Sequence, residues 1–212
     1  MEISIRTATA EDLETIIALQ TLSLSNLPDY FRKYDRRQID SLIAGQAKSR
    51  SIVFPIETNL IAEDDRGKPI GFISILNCKP KISGLFVHPD YMNRGVGKQL
   101  LKKLELLAIE QRIGKLGVMS SMESVAFYEK NGYQFKRKTG FFSKGWVWIP
   151  CKLLEKELIP TPLAERLAEQ TVKIVMLLAF LAIITNIIYK AERKQICSPT
   201  PDYRVCTQID RP

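Results

Sequence analysis

The sequence predicts one mixed α/β domain followed by a separate apolar helix, and three observations carry that reading. Up to about residue 152, stretches of period two alternate with stretches whose apolar residues recur at helical spacing. Glycines stand where strand, turn and helix exchange. Beyond them, residues 172–189 are apolar apart from Lys173, Thr185 and Asn186. The 212 residues hold a domain of ordinary size plus this attachment.

Residues 3–6 alternate as a strand does. No apolar run stands behind a basic head there, so the start reads as part of the fold and not as a secretory signal. Thr9 ahead of Glu11 and Asp12 marks a helix start leading to Leu13, Ile16, Ile17 and Leu24. A second helix is expected over residues 28–45. Residues 60–63 and 70–76 form a hairpin turning at Asp65-Arg66-Gly67, and residues 81–87 form the next strand. Val96, Leu100, Leu101, Leu104 and Leu107 draw an apolar stripe along a helix over 95–112, ended by Gly114. Residues 116–119 are a short buried strand and 121–131 a helix stopped by Gly132. Two strands near 133–138 and 145–152 close the domain. In the last of them Trp146 and Trp148 flank Val147, which places one indole in the core and the other on an exposed face.

Composition removes several classes. With 45% hydrophobic and 25% charged residues, the chain is neither disordered nor collagen-like. Four cysteines without a CxxC pair make no disulfide scaffold and start no zinc or dithiol site. His88 is the single histidine, so no metal centre is expected. The net charge of +8 suits an anionic partner: a phosphate-bearing cofactor, nucleic acid or an anionic membrane face. No stacking-aromatic RNA motif is present, and no nucleic-acid partner is expected.

Two constellations carry chemistry. Leu85-Phe86-Val87 runs out of a strand through His88-Pro89 into Asn93-Arg94-Gly95-Val96-Gly97-Lys98, at the head of the long helix. Glycines there let backbone N–H groups approach a pyrophosphate, and the helix N-terminus adds its positive end. The spacing is neither a Walker loop nor the dinucleotide fingerprint. The second constellation is Ser121 followed by Phe127-Tyr128-Glu129-Lys130-Asn131-Gly132-Tyr133, a helix closed by glycine and followed by a strand.

Val87-His88-Pro89, Arg94-Gly95-Val96-Gly97-Lys98 and the tyrosine helix, in this order and at this separation, resemble the signature motifs of the GNAT acetyltransferase superfamily. Its members transfer an acyl group from acyl-CoA to an amine. The resemblance covers roughly residues 2–152. It implies a mixed, mostly antiparallel sheet flanked by helices, acetyl-CoA as co-substrate, and an amine of a small molecule or protein as acceptor. The backbone of Leu85, Phe86 and Val87 is implied to hold the thioester arm. Asn93, Arg94, Gly95, Val96, Gly97 and Lys98 would hold the pyrophosphate, and Ser121 would contact the pantetheine. Tyr128 is implied as the catalytic acid: a phenol of pKa about 10 can protonate a departing thiolate of similar basicity.

The departures are specific. Met92 stands where the family usually opens the glycine turn with Gln or Arg, Ser121 where many members have Asn, and Ser83 where several carry a glutamate base. No base is assigned; Glu63 and Asp64 could substitute through water, but hairpin carboxylates are more often solvated surface residues. Ser83 and Met92 keep open the alternative of a non-catalytic acyl-CoA-binding regulatory module, whereas Tyr128 favours an enzyme. His88, before a proline at a strand end, is read as structural. Arg32-Lys33, Arg36-Arg37 and Lys136-Arg137-Lys138 are read as solvated clusters.

The remainder divides into a connector over 153–170, broken by Pro160-Thr161-Pro162, a membrane helix over 171–190 and a flexible tail over 191–212. About 18 residues span roughly 27 Å, near the short limit for a ~30 Å hydrocarbon core. Lys173 and Lys190 can snorkel, and Tyr189 sits where an interfacial aromatic belongs. Lys156, Arg166 and Lys173 before the segment balance Lys190, Arg193 and Lys194 after it, so flanking charge gives almost no orientation. The need for acetyl-CoA places the domain in the cytoplasm, as a single-pass membrane protein. The alternative is a helix buried in a homodimer interface. Cys197 and Cys206 pair only if the tail reaches an oxidising side.

Overall fold

The computed structural model describes residues 2–26, 33–160 and 163–196. Pro28, Arg32, Thr161, Pro162, Cys197, Cys206 and the tail from residue 197 lie outside the described residues. The chain divides into two compact units, Met1–Pro160 and Thr161–Pro212.

The first unit is a seven-stranded sheet with helices on its faces. In chain order it comprises β1 (Ser4–Thr7), α1 (Leu13–Ser25), α2 (Arg36–Val53), β2 (Glu57–Glu63), β3 (Pro69–Leu76) and β4 (Lys81–Val87). Then follow α3 (Val96–Glu110), β5 (Lys115–Ser121), α4 (Val125–Lys130), β6 (Gln134–Ser143) and β7 (Val147–Glu157). The spatial order is β1-β2-β3-β4-β5-β7-β6, antiparallel throughout except for β4 against β5.

Packing follows the apolar periodicities. Val96, Leu100, Leu101 and Leu104 of α3 bury against Leu60, Ala62 and Ile73 on one sheet face. Ile16 and Leu19 of α1 bury against Ile61 and Phe72 on the other. Ile39 of α2 and the preceding Tyr34 meet Ile149 and Cys151 of β7. Burying a large aliphatic side chain contributes roughly 1.5–3 kcal/mol, so these stripes, and not the surface charges, hold the layers. The start of the chain is clipped down by Arg6. Its guanidinium donates two hydrogen bonds to Asp12, at 2.7 and 2.8 Å, and one to Glu63 at 2.8 Å.

Several boundaries differ from the sequence expectation. The second helix is Arg36–Val53, later than 28–45, and β6 and β7 both extend beyond the expected ends, β7 as far as Glu157. Gly114 does not end α3. The left-handed residue is Arg112 (φ 58°), and the Ile113 N–H returns to the Ala108 carbonyl at 2.8 Å, a closure that needs the backbone conformation more than a glycine. Neither tryptophan is in the core: Trp146 is 83% and Trp148 46% exposed. Trp146 falls in the β6–β7 turn, and the inward positions of β7 go to Ile149 and Cys151.

The second unit contains α5 (Leu163–Ile196), a single helix that includes both the polar run over 163–170 and the apolar stretch. Within it Gln170–Lys190 has a mean hydropathy of 2.3, and none of its residues is buried. Its 21 residues span about 31 Å at 1.5 Å per residue, long enough to cross a bilayer core.

Candidate functional site

The cleft originates in strand pairing. β4 and β5 pair only at Lys81 with Gly117 and Ile82 with Val118. β4 stays paired to β3 as far as Val87, and β5 to β7 as far as Ser121. The two parallel strands are therefore drawn apart by their outer neighbours, and residues 83–87 keep an unpaired edge. A cleft of about 1520 Å³ occupies this wedge. Leu85, Phe86 and Val87 line it from β4, Ser121 from the end of β5, and Tyr128 from α4.

Asn93, Gly95, Val96, Gly97 and Lys98 line it from the turn and the first residues of α3. Arg94 does not. Its guanidinium lies over the Tyr91 ring, 5.5 Å from the centroid, so its side chain is directed away from the cleft. Asn93 (φ 59°) and Gly95 (φ 85°) are both left-handed, and this reversal turns the intervening side chain out of the cleft. The two glycines serve different ends. A Cβ at Gly95 would meet nothing within 4 Å, so its backbone conformation alone demands glycine. Gly97 has ordinary backbone angles, and a Cβ there would sit in normal contact, 3.6 Å, with Phe127 and Val87. The fold does not require Gly97; an object approaching the head of α3 would. The first intrahelical bond is Gln99 N–H to Gly95 O at 3.0 Å, so the amides of residues 96–98 have no acceptor within the helix.

Tyr128 sits on a helix of six residues, too short to persist without tertiary support. Both of its ends are locked. The Ser124 N–H donates to the backbone carbonyl of Ser121 at 3.1 Å and to its hydroxyl at 3.3 Å; that hydroxyl in turn donates to the Ser124 hydroxyl at 2.9 Å. The Ser121 hydroxyl is thus engaged within the turn that starts α4. At the other end Gly132 (φ 88°) lets the Tyr133 N–H reach the Tyr128 carbonyl at 3.1 Å. The Tyr128 ring is 4% exposed and lies edge-on to Phe127 and Tyr133, with centroids 5.2 and 5.4 Å away. Burial pushes its phenol well above the ordinary tyrosine value, which keeps it protonated at neutral pH.

The opposite half of the cleft is walled by α1, Tyr34 and α2, and the β6–β7 hairpin. Tyr34 donates to the Pro150 carbonyl at 2.6 Å and accepts from the Met122 N–H at 3.0 Å, tying three parts of the wall together. Burial raises its pKa. Two carboxylates line the cleft among the described residues, Glu57 and Glu123. Glu123 accepts the backbone N–H of Lys33 at 2.7 Å. Glu57, 8% exposed at the head of β2, was missed by the sequence reading, which began this strand at residue 60. Continuing the period of two backward from Ile61 through Asn59 would have put Glu57 on the same face.

Neither Glu63 nor Asp64 lines the cleft. Glu63 is engaged by Arg6. Asp64 is 7% exposed; one oxygen accepts the N–H groups of Arg66 and Lys68 and the other the Tyr91 hydroxyl, and the Lys68 bond leads in holding its carboxyl below the usual range. Both belong to the scaffold. His88 accepts the Asp90 N–H through Nδ1 at 3.2 Å, the structural role expected of it. Among the described residues no group of acids, histidines and cysteines could hold a metal.

The profile of the acetyltransferase (GNAT) domain family matches residues 30–155. The peptidyl-lysine N-acetyltransferase YjaB of Salmonella typhimurium is 25% identical over 136 residues, 63% of this chain and 85% of that protein. A GCN5-related N-acetyltransferase structure from Rhodopseudomonas palustris superposes with a TM-score of 0.63 and 27% identity, covering 74% of this chain and 98% of its own. The PaiA N-acetyltransferase of Thermoplasma acidophilum, solved in complex with coenzyme A, gives 0.53 and 26% over 74% and 99%. The chain belongs to the GNAT acetyltransferase family.

Proposed function

We propose that this chain is an N-acetyltransferase that moves an acetyl group from acetyl-CoA to an amine, and that α5 anchors it in a membrane. The observation that carries the catalytic reading is a juxtaposition. A buried, protonated Tyr128 shares one cleft with the unpaired edge of β4 and with a glycine, Gly97, that the fold itself does not need. The cleft fits the co-substrate: free backbone groups along residues 83–87 suit the amides of a pantetheine arm, and the α3 amides with Lys98 suit a pyrophosphate. When bound, acetyl-CoA supplies the acetyl group as a thioester.

The residues of the chain would do the rest. The edge of β4 orients the arm toward α4, and Tyr128 holds a proton for the sulfur that departs. Glu57 offers a carboxylate on the acceptor side, where it can attract an ammonium group and take its proton directly or through water. Similarity to a peptidyl-lysine acetyltransferase supports a protein lysine as the first acceptor to test. For α5, the supporting observation is an apolar stretch of spanning length with no buried residue.

The test is release of the CoA thiol by full-length protein given acetyl-CoA and lysine-containing peptides. Amine-dependent release is expected. Acetyl-CoA binding by calorimetry with no release to any amine would establish the binding-module alternative instead.

A further inference from the structure

The outer face of the β6–β7 hairpin lies mostly outside the site: Phe142 also lines the cleft, whereas Trp146 and Trp148 do not. Along it the directly opposed pairs are Lys138 with Lys152, Gly140 with Pro150, and Phe142 with Trp148, ending at the turn that carries Trp146. The other face points inward, with Ile149 and Cys151 buried against Tyr34 and Ile39. The outer aromatics instead form an exposed cluster. Phe142 is 58% exposed, and its ring centroid lies 5.0 Å from that of Trp148 and 5.7 Å from that of Trp146. Gly140 is the floor on which the Trp148 indole lies, since a Cβ there would come within 2.8 Å of Cε2. Trp146 shares the left-handed backbone of the hairpin turn (φ 57°, after Gly145 at φ 75°), a conformation uncommon for a bulky residue, and stands out into solvent.

Charge points the same way. Residues 134–154 contain Lys136, Arg137, Lys138, Lys144 and Lys152 and no acidic residue. Lys138 and Lys152 face each other across the ladder, an unfavourable like-charge pair that an anionic surface would relieve. Their rung lies about 13 Å behind the aromatic rung; the Lys152 ammonium lies over the Phe135 ring, 5.4 Å from its centroid, and both stems are long enough to re-aim the charge. Tryptophans at the tip with lysines behind is the order in which a bilayer interface accepts side chains: indoles at the headgroup level, cations at the phosphates. Residues 158–169, between β7 and the apolar stretch of α5, measure at most about 40 Å fully extended. An anchored domain is therefore never far from lipid, and a weak surface contact gains from high effective concentration.

We propose that the Phe142, Trp146 and Trp148 tip of the β6–β7 hairpin docks into the headgroup layer of an anionic membrane, with Lys138 and Lys152 on the lipid phosphates. This rests on α5 as the membrane anchor. The chain contains only two tryptophans, both in this hairpin, so its own fluorescence reports the contact.

Full-length protein would be reconstituted into phosphatidylcholine vesicles containing a minority of phosphatidylglycerol, with and without bromine on the acyl chains. Flotation with the vesicles reads the anchor; tryptophan emission reads the hairpin. The expected result is flotation with a blue-shifted emission, loss of most of it to the brominated lipid, and protection from acrylamide. Lys138→Glu with Lys152→Glu should float equally and be quenched less. Flotation with emission open to acrylamide and untouched by bromine would overturn the docking while leaving the anchor. Protection from acrylamide that persists in detergent without bromine quenching would assign the patch to a second copy and overturn it too. Absence from the floating fraction would overturn anchor and docking together.

Discussion

Tyr128 and Glu57 stand on opposite sides of the acetyl-transfer reading, and each can be isolated by one atom exchange. Tyr128→Phe removes only a hydroxyl from a ring whose packing stays intact; turnover should fall roughly 10- to 1000-fold with little change in acetyl-CoA affinity. Steady-state kinetics with calorimetry checks both halves, and full activity with chemistry rate-limiting would leave Tyr128 a packing residue. Glu57→Gln keeps the shape of the acceptor wall while removing its charge. It should lower kcat/KM by roughly 100-fold and leave acetyl-CoA binding unchanged; unaltered kcat/KM would exclude Glu57 from the reaction. A third residue bears on stability. The hydrogen bonds from Arg6 lead in lowering the Asp12 carboxyl below its ordinary value. A depressed folded-state pKa stabilises above the unfolded value of about 4 and loses that contribution as pH falls toward the folded one. Arg6 is 42% exposed, so screening holds the pair near 1 kcal/mol. Asp12→Asn should therefore lower stability by about that amount at neutral pH, with the gap to the parent protein closing as pH drops below about 4. Denaturation midpoints across pH read this directly.

At the scale of elements, the head of α3 is where folding and binding separate. Gly97→Ala adds a methyl at ordinary contact distance and should fold normally. Gly97→Glu adds bulk and a negative charge where a pyrophosphate would lie, and should abolish measurable acetyl-CoA binding while circular dichroism stays unchanged. Equal affinity in a folded Gly97→Glu protein would sink the cradle. The glycine of β3 works differently. A Cβ at Gly71 would come within 2.9 Å of the Phe86 carbonyl and crowd Leu100 and Val96, so Gly71 lets α3 approach the sheet closely enough for its amides to reach the cleft. α4 shows the converse dependence: six residues hold their helix because Ser121 and Gly132 close its ends and Val125 and Tyr128 are buried.

For the whole molecule, the central expectation is that full-length protein partitions with membranes and resists alkaline and high-salt extraction. The folded unit of Met1–Pro160 carries its own core, so a chain ending at Pro160 should be soluble and keep acetyl-transfer activity. Extraction by salt alone would mean that basic residues, and not α5, make the contact. A full-length protein that is soluble and dimeric without detergent would mean that α5 buries its apolar surface against a second copy.

The glycine turn, the tyrosine helix and the long apolar run were legible in the sequence because each is a local pattern: backbone freedom, helix periodicity and hydropathy are written over a few consecutive residues. Tertiary structure alone decided the rest. The splay of β4 from β5 depends on which strands each pairs with on its far side, and no local pattern encodes that. Arg94 turned away because two left-handed residues flank it, and Glu57 entered the cleft because β2, held by its pairing with β3, begins three residues earlier than the apolar run suggests. Both tryptophans left the core because the hairpin turn claimed Trp146 and the alternation of β7 gave the inward places to Ile149 and Cys151. The sequence thus determined that a glycine turn and a tyrosine helix lie on one chain; long-range pairing determined that both line one cleft.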